Sequence, residues 1–332
     1  MRRTLGSILC GIMLSLVVSL PAMAIDCARA GNRTEKLICA TPTLQAIDSA
    51  MAKAYGELKS SLPAAQQPWL QSSQIDWIQR RASSCDDDGT QNEDDGAVVL
   101  CLERQTEDRL AMLSGARAAA PAAAPRLMPV FFYREDGKGR YEVDLSYPQA
   151  ASRGFGSLNK LLRQAAEGDQ RWKDGPDPDH ESSLGYYADY RIALQTESFI
   201  SVVFTRSIVF GGPYPNNEQV TVNFDLKAGR AATLDKLLRP GAQAKAGRLC
   251  EAQLRKYYGE SLDEMIATEG SSWKEVVDGE VAKINNWVFE PDQIQIEFDI
   301  ATHAMGAYAC KLSGKTAAAL LRPEGPVRLV TH

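Results

Sequence analysis

The sequence predicts an α+β protein: a small disulfide-stapled three-helix N-terminal domain, then an α+β domain with an antiparallel sheet. Three features predict it. Apolar residues recur at three- and four-residue steps up to Leu113, then give way to strand-like runs broken by helices from Tyr141 onward. A tract of almost pure Ala and Pro, within residues 116–126, separates the two patterns. Six of the seven cysteines divide four and two around that tract. The length of 332 residues suits about two such domains.

The seventh cysteine belongs to the N-terminus. Arg2 and Arg3 precede the apolar run from Ile8 to Val18, and Ala22-Met23-Ala24 is a small-x-small cleavage site. Residues 1–24 therefore read as a secretory signal. The run is short for a membrane span, and Pro21 follows it. Removing the signal discards Cys10 and leaves Cys27, Cys39, Cys85, Cys101, Cys250 and Cys310. An even set in an exported chain implies disulfides. The expected compartment is the periplasm, with no membrane attachment after cleavage.

The first domain, residues 25–115, reads as three helices. Leu44, Ile47, Asp48, Met51, Tyr55 and Leu58 mark the first, with Thr43 as its N-cap and Leu62-Pro63 as its end. Trp69, Leu70, Ser73, Trp77, Ile78 and Arg81 mark the second. The third runs from about Ala97 to Leu113, after an acidic loop from Asp86 to Asp95. Antiparallel helices bring four cysteines to one pole. Pairing stays open in the sequence, and this geometry favours Cys39–Cys85 with Cys27–Cys101. A four-cysteine zinc site is disfavoured, because no CxxC pair is present.

The second domain, residues 127–332, mixes strands and helices. Tyr141–Tyr147 alternates and stops at Pro148, and Gly156–Ala166 is helical. Residues 174–181 form a loop. Strands are expected at Tyr186–Gln195, Phe199–Phe210 and Gln219–Leu226, with a turn at Lys227–Arg230. Helices follow at Thr233–Leu238, about 242–258 and about 261–268. A hairpin joins Trp287–Phe289 to Ile294–Phe298, Thr316–Leu321 is helical, and Val327–Val330 is a last strand. Cys250, on a helix, and Cys310, after the late strand, form a third bridge.

Composition excludes several function classes. The net charge of −5 and pI of about 5.4 argue against nucleic-acid binding. Three histidines are too few for a multi-histidine metal centre. No Gly-x-Ser-x-Gly, His-Glu-x-x-His or complete phosphate loop is present; Gly314-Lys315-Thr316 is a fragment with Ala309 at the required upstream glycine. Ser157-x-x-Lys160 and Ser271-x-x-Lys274 are four-residue coincidences. His303 reads as a structural histidine, with general-base work as the alternative. The chain is expected to be no enzyme and to need no cofactor. Trp69, Gln74, Trp77 and Tyr55 read as the core of a small bundle, with an aromatic ligand surface as the alternative.

Acidity is concentrated in the first domain. Residues 25–115 hold 14 acidic against 9 basic side chains, while the rest of the mature chain holds 28 against 26. Asp86, Asp87 and Asp88 form either a solvated loop or a steering patch for a cationic partner. The uncharged loop Gly211–Asn217 is either a plain turn or a binding tip, with Tyr214, Asn216 and Asn217 as its contacts.

Two resemblances follow from these residues. Cys27, Thr34-Glu35, Ile38-Cys39, Leu44-x-x-Ile47-Asp48, Tyr55, Gln74-x-x-Trp77-x-x-x-Arg81, Cys85, Cys101-Leu102 and Arg109-x-x-x-Leu113 make the first segment similar to the lysozyme-inhibitor LprI-like family. Its acidic insert is longer than that pattern. Ser146-Tyr147-Pro148-Gln149, Leu158-Asn159, Gly211–Pro215, Asn223–Leu226 with Gly229 and Thr233-Leu234, and Phe298 with His303-Ala304 and Gly306 make the second segment resemble the C-terminal domain of RsiV-type anti-sigma factors and some exported peptidoglycan deacetylases. Tyr214 stands where that family often has histidine. The resemblances imply a non-enzymatic protein that binds and inhibits lysozyme by occluding its cleft. The alternative is an envelope module binding peptidoglycan fragments or another envelope protein.

Overall fold

The computed structural model describes residues 24–85, 94–117, 124–136, 140–151, 154–168, 171–175, 183–210, 215–259, 272–298 and 308–330. Nearly all of the expected signal segment (residues 1–23 of 1–24), most of the acidic loop, most of the Ala/Pro tract, and the helix expected at 261–268 lie outside them.

Among the described residues four α-helices, not three, build the first part: α1 (Arg33–Ala40), α2 (Pro42–Ser61), α3 (Gln67–Cys85) and α4 (Asp95–Arg117). The extra helix is α1. Asn32 caps it, accepting from the Glu35 N–H, while Glu35 reaches back to the Asn32 N–H in a capping box. The next N-cap is Thr41, with Pro42 in the first helical turn where its missing N–H costs nothing. Thr43, expected as that cap, instead donates to Glu103 Oε1 across to α4 at 2.6 Å.

Because residues 33–40 are helical, they carry Cys39 back onto the turn at Cys27–Arg29. Cys27 bonds Cys39, and Cys85 at the end of α3 bonds Cys101 near the start of α4. The expected pairing, Cys39–Cys85 with Cys27–Cys101, is corrected: both bridges are local. Non-reducing tryptic mapping checks this. No Lys or Arg lies between Cys85 and Cys101. The peptide Ala82–Arg104 should therefore appear alone, lighter by one pair of hydrogens. Finding it joined to a peptide carrying Cys27 or Cys39 would reject the pairing.

The second part opens with a strand that the sequence pattern does not announce, β1 (Leu127–Glu135). It heads a six-stranded sheet with β2 (Tyr141–Ala150), β3 (Leu184–Gln195), β4 (Phe199–Phe210), β5 (Asn216–Asp225) and β6 (Arg230–Ala231), in that spatial order. Pairing is antiparallel except between β2 and β3, which run parallel. A parallel step needs a crossover, and helix α5 (Gly156–Glu167) lies in it. β2 does not stop at Pro148. Pro148 lies opposite Pro129 of β1. The Pro129 carbonyl points away from β2, to the Ser73 hydroxyl of α3, so the two prolines face each other without interrupting a ladder bond.

The same serine closes the sheet edge. Ser73 donates to Pro129 O at 3.2 Å and accepts from Phe131 N at 3.1 Å. An exposed edge strand is an aggregation template, and here α3 covers it. Met51, Tyr55, Leu70, Trp77 and Leu113 of the helices share a buried cluster with Met128, Phe131 and Ala151 of the sheet region. The helical part and the sheet thus have one core in common across the Ala/Pro tract.

A second sheet completes the chain: β7 (Trp287–Phe289), β8 (Gln293–Phe298) and β9 (Tyr308–Ser313), antiparallel throughout. Short helix α6 (Leu234–Leu237), then α7 (Ala242–Tyr258), α8 (Trp273–Val281) and α9 (Gly314–Ala318), accompany it. Cys310 lies within β9 and bonds Cys250 of α7, both fully buried. The two sheets meet where Phe199 packs edge-on against Phe289 and Asn223 Nδ2 donates to Trp287 O at 2.7 Å. The expected last strand is absent: residues 327–330 carry no ladder, and Val330 N donates to Pro291 O. No helix among the described residues is long and apolar enough to cross a membrane.

Candidate functional site: the outer face of the helical part

The aromatic and polar residues at the centre of the first resemblance are internal. Tyr55, Gln74, Trp77, Arg81 and Arg109 are all buried. Their ionic and polar groups form two connected sets. In one, Arg81 donates to Asp48 Oδ1 and to Thr106 Oγ1, each at 3.0 Å, and Thr106 passes its hydrogen to Leu102 O. Asp48 Oδ2 also accepts from Ile25 N, which ties the start of the domain to α2. In the other, Arg109 donates through Nε and Nη2 to Gln74 Oε1 at 3.0 and 2.9 Å. Gln74 Nε2 points to Met51 Sδ.

Trp77 joins the sets. Its ring lies 4.7 Å from the Arg81 guanidinium and 5.7 Å from that of Arg109, which also stacks 4.8 Å from Phe131. Arg109 meets no carboxylate in this contact set. Burial pushes its pKa down to about 9, against the pull of Tyr190 and Tyr55. Burial likewise raises the Tyr55 phenol, opposed by Arg109. These side chains therefore hold the helices together, and any partner must touch something else.

What they leave outside is the far side of α3. One flank of α3 meets the sheet through Ser73, Asp76 to Arg134, and Arg80 to Asp144. Burial pushes the Asp144 carboxyl up, and Arg80 opposes the shift. Another flank meets the core through Leu70, Gln74, Trp77 and Arg81. Ile75 and Ile78 are left exposed, at 50% and 45%. Three residues apart on a helix, they are neighbours. Leu100, beside the Cys85–Cys101 bridge, is 68% exposed, and Glu107 and Asp108 of α4 are exposed as well. Ile78 was expected within the helical pattern of the second helix. It lies about 100° around the helix from Trp77, which takes it out of the core.

The remaining expected contacts divide. Asn216 and Asn217 start β5, opposite Ile208 and Ser207, and are exposed. Tyr214, Asp86, Asp87, Asp88 and His303 lie outside the described residues. Ser157 and Lys160 are both exposed on α5, and Lys274 pairs with Asp278. Among the described residues no group of three or more His, Cys, Asp or Glu is placed to hold a metal ion.

Comparison with known proteins adds one match over this region. Residues 26–113 fit the model of the family described as Lysozyme inhibitor LprI. No curated protein matches the chain. Among solved structures, a DUF3298 family member from Bacteroides fragilis is 15% identical, covers 60% of this chain and 94% of its own, and overlays with a TM-score of 0.42. A DUF3298 family protein from Pseudomonas aeruginosa is 12% identical, covers 61% and 98%, and gives 0.43. Neither structural likeness bears on a partner.

Proposed function

We propose that the chain is an exported, periplasmic, non-enzymatic binding protein that engages lysozyme and inhibits it by occluding its cleft. The observation that carries this reading is the family match over residues 26–113, the segment held rigid by two disulfides and two buried polar sets. A preorganised surface loses little conformational entropy on docking. The docking face is the outer side of α3, with Ile75 and Ile78 as apolar anchors. Asp86, Asp87 and Asp88 steer a cationic partner toward it. Tyr214, Asn216, Asn217 and His303 supply a second, uncharged contact from the sheet part, in line with the resemblance of that part to RsiV-type domains.

A cell-lysis assay with c-type lysozyme tests this. The mature chain should slow lysis and co-elute with lysozyme on gel filtration. Replacing both Ile75 and Ile78 by Asp should weaken inhibition by about 10- to 100-fold while leaving the circular dichroism spectrum unchanged. Unchanged lysis at large molar excess of the parent protein, with no complex on the column, would overturn the proposal. A second reading, an envelope module for peptidoglycan fragments, is favoured by a cavity of about 300 Å³ lined by Phe132, Tyr141, Tyr147, Arg163 and Glu167.

A further inference from the structure

The three disulfides differ in their reach to solvent. Cys250 and Cys310 are both 0% exposed, enclosed between α7 and β9. Cys85 is buried and its partner Cys101 half-buried. Among the described residues Cys27 is the one exposed cysteine, and its partner Cys39 is half-buried. Cys27 Sγ accepts a hydrogen bond from Gln45 Nε2 at 3.4 Å, and Gln45 is itself exposed. A thiolate must touch a disulfide sulfur to exchange with it, so reach decides which bridge is reduced first.

What the Cys27–Cys39 bridge holds is held by little else. None of residues 25–30 is buried, and in α1 only Thr34 and Ile38 are. A helix of eight residues is marginal by itself, even with a capping box. The bridge keeps the turn at Cys27–Arg29 against the end of α1. From that turn Ile25 N donates to Asp48 Oδ2 at 3.4 Å, and Asp48 is the partner of the buried Arg81. The latch therefore ends on the buried ion pair.

This pole also has a core of its own. Ile38, Leu44, Cys85, Val98 and Leu102 form it, with Ile25, Leu37 and Cys101 packed against them. The larger cluster that the helices share with Met128 and Phe131 is separate. A small satellite core can open while the main one stays closed.

We propose that Cys27–Cys39 is a thiol-exchange site, reduced by a protein dithiol of the Cys-x-x-Cys kind, and that its reduction releases residues 25–40 while the rest of the chain stays folded. One thiolate of the dithiol attacks Cys27 Sγ. The S–S bond breaks and Cys39 leaves as a thiolate. The second thiolate attacks the mixed disulfide, closes the reductant's own bridge and releases Cys27. Two electrons pass to the bridge, and the two protons lost by the dithiol end on Cys27 and Cys39. With residues 25–29 released, Asp48 Oδ2 loses the Ile25 N–H and water reaches the ion pair.

Stepwise reduction of the full mature chain without denaturant tests it. Dithiothreitol is the probe, N-ethylmaleimide the trap, and each cysteine is read by peptide mass. Cys27 and Cys39 should be labelled first, at least about 10-fold faster than Cys250 and Cys310. At that stage hydrogen exchange should accelerate over residues 25–40 and stay slow in α3 and β1. A thioredoxin whose second active-site cysteine is serine should be captured on Cys27. Cys27→Ser with Cys39→Ser should show the exchange pattern of the reduced chain. If that variant does not fold, the proposal is overturned, since the rest of the chain would need the bridge. Earlier labelling of any other pair would overturn it, as would unchanged exchange over 25–40 after both cysteines are labelled. Capture of thioredoxin on another cysteine, or none, would do the same. The lysozyme reading is separate, since Ile75 and Ile78 lie on α3, outside residues 25–40.

Discussion

Asp48→Ala is expected to destabilise the protein by about 3–5 kcal/mol, read as a fall in the urea midpoint. The size follows from what remains. Asp48 and Arg81 are each only 3% exposed. Without the carboxylate, the Arg81 guanidinium keeps one hydrogen bond, to Thr106, and the face of Trp77. A buried charge with no counter-ion costs more than the pair itself stabilises, because the desolvation of Arg81 is no longer offset. The double replacement Asp48→Leu with Arg81→Met removes both charges and should recover most of the loss. An exposed control makes the contrast. Arg33–Asp95 is a surface pair at 2.8 Å, and Asp95→Ala should cost under about 1 kcal/mol. If Asp48→Ala costs no more than Asp95→Ala, the buried ion pair is not what organises the helical part.

Much of this arrangement is legible in the sequence, and the rest is hidden for identifiable reasons. Helix α2 announces itself because one face alone is buried: Leu44, Met51, Tyr55 and Leu58 recur at helical steps. Strands β3 and β4 are long and rich in branched and aromatic residues. Strand β1 is hidden in the sequence because Leu127–Tyr133 shows no alternation. It is covered on one side by the sheet core and on the other by α3, so nearly every residue is buried, and Pro129 mimics a break. The disulfide pairing is not legible in the sequence because one short helix, α1, decides it. Eight residues with a strong capping box but little apolar content read as an approach to the first helix, not as an element. The motif residues Gln74, Trp77 and Arg81 were legible as a set, and core packing was the better of their two readings. Ile75 and Ile78 were harder to find. An exposed isoleucine differs from a buried one only in its phase on the helix, and α3 buries two flanks, which blurs that phase.

Trp77→Ala is the second large expected effect, about 4 kcal/mol of lost stability. Trp77 is 1% exposed, so its removal leaves a cavity as well as lost transfer energy. It also strips one aromatic face from two buried guanidiniums, those of Arg81 and Arg109. The two losses can be separated. If the stacking matters, Trp77→Ala in an Arg109→Met background should cost less than in the parent, with a coupling on the order of 1–2 kcal/mol. Strict additivity would mean that the Arg109 stack adds nothing, leaving the volume of Trp77 and its nearer face on Arg81 at 4.7 Å. The substitution also divides stability from recognition. On the proposed lysozyme-binding reading, Trp77→Ala should abolish inhibition only where it unfolds the helical part, so activity should follow the folded fraction as urea is varied. The Ile75 and Ile78 replacements should reduce inhibition with the fold intact. Were Trp77→Ala to lose inhibition while fully folded, the binding surface would have to include the interior of the bundle. The α3 outer face would then be the wrong assignment.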